Sequence, residues 1–239
     1  MTNLRAAAVL VLASLLVASG LSQTPVKSDS IVSYRQNTSG VDFKTLHGTL
    51  RVRFCTDSMA HVTFEEGDHS AHPQPWIVQT EGPAVTLTVA EDAARDIVIS
   101  TKRLRVIAER DSASLLFQDV DGKALVRESA SPRPRDLTPL TVDGEKTYHA
   151  DAYFDLTQDE AIYGLGQHQS GLLNQRGTDL LMMQDNTNIS LPFLLSSRGY
   201  GLLWNSASLG RFENHFQPKL VLRADVADAV DYYLSLIHI

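Results

Sequence analysis

With 239 residues, the chain is long enough for one large all-β domain or two small ones, and its 43% hydrophobic and 21% charged residues make an ordinary globular balance able to bury a core. A net charge of −7 argues against nucleic acid or an anionic membrane as the main partner and is compatible with a neutral ligand such as a glycan. The single cysteine, Cys55, excludes an internal disulfide.

In chain order, the first element is a targeting segment rather than fold. Arg5 supplies a positive start, Ala6–Val17 is an uninterrupted run of apolar and small residues too short to span a bilayer, and Ala18, Gly20 and Ser22 offer cleavage points. Residues 1–22 are therefore expected to be a removed signal peptide. The mature product is expected to be secreted or periplasmic, with no membrane attachment after cleavage.

Strand signals then follow one another. Ile31–Arg35, Val41–Thr45, Leu50–Phe54 and Ala60–Phe64 alternate apolar and polar residues with β-branched and aromatic members, the period of half-buried antiparallel strands. Leu50, Val52 and Phe54 make one face, so Cys55 falls on the other, as a half-buried inert thiol and not a nucleophile. Glu65–Pro75 interrupts the pattern with Gly67, Pro73 and Pro75. His69 and His72 in that stretch have a metal-like spacing but lack a third ligand and a helix to aim them, so a loop is predicted and no metal or other cofactor is expected.

Val85–Val89 shows the cleanest alternation, and Asp96–Ser100 and Leu104–Ala108 follow. Between Leu115–Gln118 and Ala124–Val126, the run Asp119-Val120-Asp121-Gly122 begins like a calcium loop. It lacks the third acidic position, and Glu128 comes too early for the closing ligand; Asp-Gly between apolar runs predicts a hairpin instead. Ser129–Pro139 carries Pro132, Pro134 and Pro139 and predicts a linker or long loop. Tyr148–Leu156, Leu220–Ala224 and a strand starting at Val230 complete the set. No run beyond the leader has helical apolar spacing over a dozen residues. Short strands punctuated by Gly, Pro, Asn and Asp predict an all-β fold, an antiparallel β-sandwich over residues 23–233.

The most informative stretch is Asp159–Asn205. Gly164 and Gly166 bracket Leu165, and the absence of a third glycine and of a following helix pattern rules out a dinucleotide loop. Leu191–Leu195 and Leu202–Trp204 flank Arg198-Gly199-Tyr200-Gly201 and predict a hairpin. Between them lie Gln184, Asp185, Asn186, Thr187 and Asn188. Amides that both donate and accept, beside a carboxylate, suit a polyol surface; the same residues also suit a turn bonded to its own backbone.

Tyr163-Gly164-Leu165-Gly166-Gln167, Pro192-Phe193 with Ser196-Ser197, and Gly199-Tyr200-Gly201-Leu202-Leu203-Trp204-Asn205 resemble, in order and spacing, the N-terminal domain of glycoside hydrolase family 31, with wording nearest its bacterial α-xylosidase-like members. The resemblance is clear over Tyr148–Tyr233 and thinner over Ile31–Arg127. It implies a galactose-mutarotase-like supersandwich preceding a (β/α)8 barrel. It implies a retaining α-glycosidase acting on α-glucoside or α-xyloside oligosaccharides, with both catalytic carboxylates on the barrel, about 5–5.5 Å apart as retention requires. No catalytic residue is therefore expected in this chain. The resemblance further implies that the loop Met183–Ile189 reaches toward the substrate, which makes Asp185, Asn186 and Asn188 the candidate sugar contacts.

Trp204 and Phe193 could stack on a sugar, but their apolar strand context predicts core packing. The family pattern places a glycine soon after the tyrosines of the last strand. Leu234–Ile239 departs from it, and the expectation is a truncated reading frame with a non-native tail at 234–239 and a missing barrel partner. Two other readings stay open: a stand-alone carbohydrate-binding sandwich, and an aldose-epimerase-like enzyme. The latter needs convergent His and Glu, whereas His149, His168 and His215 are scattered with no obvious paired acid.

Overall fold

The computed structural model describes residues 29–67, 84–216 and 218–237. The leader 1–22, the pair His69 and His72, and the end of the tail at 238–239 lie outside the described residues. Among those described, all regular structure is strand. In chain order the strands are β1 (Ile31–Gln36), β2 (Gly40–Thr45), β3 (Gly48–Thr56), β4 (Met59–Glu66), β5 (Thr88–Glu91), β6 (Ile97–Ser100), β7 (Leu104–Ala108), β8 (Leu115–Asp119) and β9 (Ala124–Glu128). They continue as β10 (Arg135–Val142), β11 (Glu145–Asp155), β12 (Ile162–Gln167), β13 (Asp179–Met182), β14 (Ile189–Ser196), β15 (Tyr200–Trp204), β16 (Gly210–Glu213), β17 (Lys219–Ala227) and β18 (Val230–Leu236).

They form two antiparallel sheets. The first runs β1-β2-β3-β4-β18-β15-β14-β12, and the second β13-β16-β17-β11-β9-β8-β7-β6-β5 with β10 paired to β11. Alternation decides the layering. Leu50, Val52 and Phe54 of β3, Ala60, Val62 and Phe64 of β4, and Val230, Tyr232 and Leu234 of β18 point inward. They meet Ile97 and Ile99, Leu115 and Phe117, and Ala150, Ala152 and Phe154 from the facing sheet in one core. Tyr232 sits at its middle, edge-on to Phe154 at 5.3 Å. The sandwich predicted from the strand pattern is thus the fold.

One polar group crosses this core. Glu128, at the end of β9 and fully buried, accepts Tyr232 Oη–H from the opposite sheet at 2.7 Å and the Leu115 N–H at 2.9 Å. Its carboxylate pairs with buried Arg135, whose guanidinium also donates to the Ala113 carbonyl at 2.5 Å and lies over the Phe64 ring. Burial pushes the Glu128 carboxyl up from its ordinary range, against the opposing pull of Arg135, Tyr232 and Leu115.

Three expectations need correction. The linker expected at Ser129–Pro139 gives way at Arg135 to β10, where Pro139 stands opposite Tyr148. Proline is tolerated there because β10 pairs only with β11, so its missing N–H faces no second strand. Of the alternating run Val85–Val89, only Thr88 and Val89 enter a strand, β5. Phe193, expected in the core, lies on the outer face of the first sheet and crosses Gly201, where a Cβ would stand 2.8 Å from its ring. Trp204 is in the core as expected, 5% exposed. At the other end of the chain, β18 runs past Tyr233, and Leu234 is buried with Ala60 and Leu202 opposite it on the two neighbouring strands.

Candidate functional site

The second sheet ends with β13 at Met182, and β14 opens in the first sheet at Ile189. The residues between, 183–188, therefore carry the chain from one layer to the other. This crossing loop holds all three candidate contacts.

Its base is set by the glycines of β12. Gly164, Leu165 and Gly166 all have positive φ, at 89°, 64° and 100°, and the pairing register with β14 shifts between the two glycines. A Cβ on Gly166 would lie 1.9 Å from the Ile189 carbonyl oxygen, and one on Gly164 would lie 2.8 Å from that of Phe193. Only glycine permits that approach. Buried Leu165 takes the same left-handed region at a cost that its packing must offset, and the His168 ring lies with Nε2 2.9 Å from its carbonyl oxygen. The bulge thus fixes where β14 begins and where the loop ends.

The loop's neck is tied by Gln184. Its Nε2 donates to the Ser190 carbonyl at 2.9 Å, and its Oε1 accepts the Ser190 N–H at 3.3 Å. Ser190 Oγ donates back to the Met183 carbonyl at 2.9 Å. The tip is a turn built on Asp185. One carboxylate oxygen accepts the N–H of Thr187 and of Asn188, each at 2.8 Å, and the Thr187 hydroxyl at 3.1 Å; the other accepts Asn188 Nδ2 at 3.2 Å. The Thr187 N–H and then the Asn188 amide hold the Asp185 carboxyl below its ordinary value of 3.8. Asn188 Oδ1 also accepts the Gln169 N–H at 3.3 Å and so joins the tip to the preceding loop.

The three candidates are together, but their situations differ. Asp185 and Asn188 are occupied in shaping the turn, with one lone-pair side of Asp185 still open to solvent. Asn186 is exposed at the apex, and its amide makes no hydrogen bond among the described residues. The Asn/Asp density of the sequence is thus a turn signal, with one free amide as its product. Gln184 was read from sequence only as a member of the polar cluster, and Gln169 was not singled out, because their roles depend on partners that the folded loop brings close.

The outer face beside the loop is apolar. Ile189 and Leu191 of β14 are 53% and 54% exposed, and Leu181, Met183 and Leu195 are also open to solvent. The histidines expected to lack acids do not all lack them. His215 pairs with Asp179, and His149 stands 3.9 Å from Asp225. His61, which the sequence did not single out, meets Asp231 at 2.7 Å and stacks on Tyr233 at 4.0 Å. His61 and Asp231 lie on β4 and β18 of the first sheet, His149 and Asp225 on β11 and β17 of the second, and His215 in the bend after β16, against Asp179 of β13; among the described residues, the ring of His168 has the Leu165 carbonyl as its one hydrogen-bond partner.

The family model described as the glycosyl hydrolase 31 N-terminal galactose mutarotase-like domain matches residues 49–213. An α-xylosidase of Saccharolobus solfataricus is 27% identical over 194 residues, which cover 77% of this chain and 26% of that protein. An uncharacterised family 31 glucosidase of Pseudescherichia vulneris is 32% identical over 143 residues, covering 51% of this chain and 26% of that protein. The chain therefore spans about a quarter of the length of these relatives. Among solved structures, a GH31 α-xylosidase from a soil metagenome, complexed with xylose, has a TM-score of 0.76 at 22% identity and covers 85% of this chain and 32% of its own; at that identity the likeness shows the fold alone. The GH31 α-xylosidase of Xanthomonas citri has a TM-score of 0.69 at 29% identity, covering 75% of this chain and 20% of its own.

Proposed function

Because the chain belongs to the glycosyl hydrolase 31 N-terminal galactose mutarotase-like domain family, we propose that it is the substrate-shaping part of a retaining α-glycosidase acting on α-xyloside or α-glucoside oligosaccharides. The two catalytic aspartates of that enzyme belong to a separate (β/α)8 barrel, and the domain by itself does not cleave glycosides. Export across a membrane, directed by Arg5 and the apolar run Ala6–Val17, is part of the same reading.

The observation that carries it is the crossing loop 183–188. A loop braced at its base by a glycine bulge, at its neck by Gln184 and at its tip by Asp185 presents Asn186 on a defined backbone. An amide with both donor and acceptor suits a sugar hydroxyl, and the braced backbone beneath it leaves only the side-chain rotamers to be ordered on binding. The exposed apolar strip on Ile189, Leu191 and Leu195 supports a covering layer beside the loop, because soluble domains rarely leave contiguous apolar surface open without a partner. In this reading the barrel is that layer. Asp185 and Asn188 act through the turn, and Asn186 faces the sugar chain.

The test has two parts. The chain alone, incubated with p-nitrophenyl α-xyloside and with isomaltose, is expected to release no product; turnover would overturn the assignment of catalysis to a separate barrel. In the full-length enzyme, Asn186→Ala is expected to raise KM for an oligosaccharide several-fold more than for the aryl glycoside. Equal effects on both substrates would remove the loop from the substrate path.

A further inference from the structure

Three hairpin turns and the end of β18 meet around a cavity of about 380 Å³, within the size range of small-molecule sites. Lys102 and Arg103 come from the β6–β7 turn, Asp119, Asp121 and Lys123 from the β8–β9 turn, and Arg198 from the β14–β15 turn. The first two turns belong to the second sheet and the third to the first sheet, so both layers contribute to the lining. Arg198 ties them together, its Nη2 donating to the Ala124 carbonyl at 2.7 Å. The turns are braced from within. Thr101 Oγ1 accepts the N–H of Arg103 at 3.2 Å and of Leu104 at 3.0 Å, and Asp119 Oδ1 accepts the N–H of Asp121 at 3.0 Å and of Lys123 at 2.9 Å.

Charge singles this cavity out. The chain has 28 acidic residues to 21 lysines and arginines, so a cation left without a carboxylate goes against the balance. Most of the described arginines do carry a carboxylate partner. Lys102, Lys123 and Arg198 form no ion pair among the described residues, yet all three line one cavity, with Arg103 beside them. Their donors can be reached. Both lysines are exposed, and Arg198 Nη1 is unpartnered and open to solvent, whereas its Nε is enclosed. Two carboxylates share the lining. Asp119 is committed to the turn through the two N–H groups it accepts, and Asp121 stands exposed, where it opposes any anion.

We propose that this cavity binds a small oxyanion, a phosphate group or the carboxylate of an acidic sugar, held by Arg198, Lys102 and Lys123. The ligand class follows from the sign of the unpaired charges: converging cations raise the local concentration of anions and supply only donors. Leu236 and Ile237 complete the lining with an apolar wall, which excludes water on that side and strengthens the attraction. The site goes beyond the reading of the crossing loop. That loop enters β14 at Ile189, whereas Arg198 follows the other end of the strand at Ser196.

The test is a ¹H–¹⁵N titration of the chain with sodium phosphate and, separately, with sodium glucuronate, chloride holding the ionic strength constant. The Lys123 and Gly199 amide signals are expected to move saturably with both. Lys102→Gln combined with Lys123→Gln, on exposed side chains, is expected to weaken the response roughly tenfold, and Asp121→Asn to strengthen it roughly two- to fivefold. Arg198→Gln is expected to weaken it too; the lysine pair carries the test should loss of the Ala124 bond disturb folding. Tighter binding of phosphate assigns the site to a phosphoryl group, and tighter binding of glucuronate to an acidic sugar. No saturable movement with either anion, an undiminished response in the double lysine variant, weaker binding in Asp121→Asn, or equal movement with neutral methyl α-D-glucopyranoside each overturns the site.

Discussion

Glu128 and Asp185 are each a single carboxylate that organises several donors, and they sit in opposite solvents. Glu128 gathers Arg135, Tyr232 and the Leu115 N–H between two sheets with no water access. Asp185 gathers Thr187 and Asn188 on a fully exposed turn. The number of bonds is similar, yet the two carboxyl groups shift in opposite directions. Desolvation outweighs the favourable partners of Glu128, whereas at Asp185 desolvation is minor and the donors prevail. The first carboxylate bolts the two layers together through Tyr232. The second shapes a loop and contributes little to the fold.

Removing the bolt is the most direct way to break this contrast. Glu128→Ala leaves Arg135 buried without its counter-charge and is expected to destabilise the domain by about 3–5 kcal/mol in urea unfolding, enough to leave much of it unfolded. A change within 1 kcal/mol would mean that water reaches the pair, and would remove the distinction from Asp185.

The bulge that connects fold to loop comes next. Gly166→Ala places a Cβ against the Ile189 carbonyl at a φ of 100° and is expected to cost about 1–3 kcal/mol from backbone strain, with more from the clash. Amide exchange should rise first at β12 and the start of β14. Protection unchanged at Ile189 would show that the loop base does not depend on the glycine.

A smaller effect is expected at Glu160, a third carboxylate, which accepts the hydroxyls of Tyr200 and Ser196, each at 2.6 Å. Tyr200→Phe removes one charge-assisted bond and leaves the other partners, so about 1.5 kcal/mol should be lost in the same unfolding assay. Burial, and then Glu160, push the Tyr200 phenol well above 10.0, so no ionisation of that group should appear in an ultraviolet titration below that pH.

Asp185 should give the smallest change in stability and the sharpest local one. Asp185→Asn is expected to leave the urea unfolding midpoint unchanged within error, as exposed substitutions away from the core usually do. Because the folded carboxyl value lies below the ordinary 3.8, the unfolded form binds more protons through that window. The turn's contribution is therefore complete above 3.8 and is lost as the pH falls through the lowered value. The Thr187 and Asn188 amide signals should move together over that range in the native chain and stay fixed in Asp185→Asn. Movement of these amides near neutral pH would assign the turn to another group.

Much of this was legible without coordinates. The hairpin at Arg198–Gly201, the Asp121-Gly122 turn and the inward faces of β3, β4 and β18 follow from period-2 alternation and turn chemistry, which act over a few residues. The Asn/Asp cluster of the loop was legible as polar and turn-forming, and the structure assigns most of that polarity to the turn itself. Missed features share one property: each depends on burial or on a position in the sheets, which local side-chain period does not carry. The His61–Asp231 pair joins β4 to β18, strands adjacent in space but far apart in order; Pro139 in an edge strand, Arg135 buried on Glu128 and the Gln184 tie across the neck join near neighbours in the chain, whose pairing shows only once the layers are packed.

The amino-acid order determined which segments are strands, which face of each is apolar and where the chain must turn, because those properties depend on side-chain period and local backbone sterics. Tertiary structure alone decided that β13 and β14 lie in different sheets, that the segment between them becomes a braced crossing, and that the Trp204 indole N–H is enclosed without a hydrogen-bond partner among the described residues. Burial and the pairing of distant donors and acceptors are properties of packed layers. No short stretch of sequence contains them.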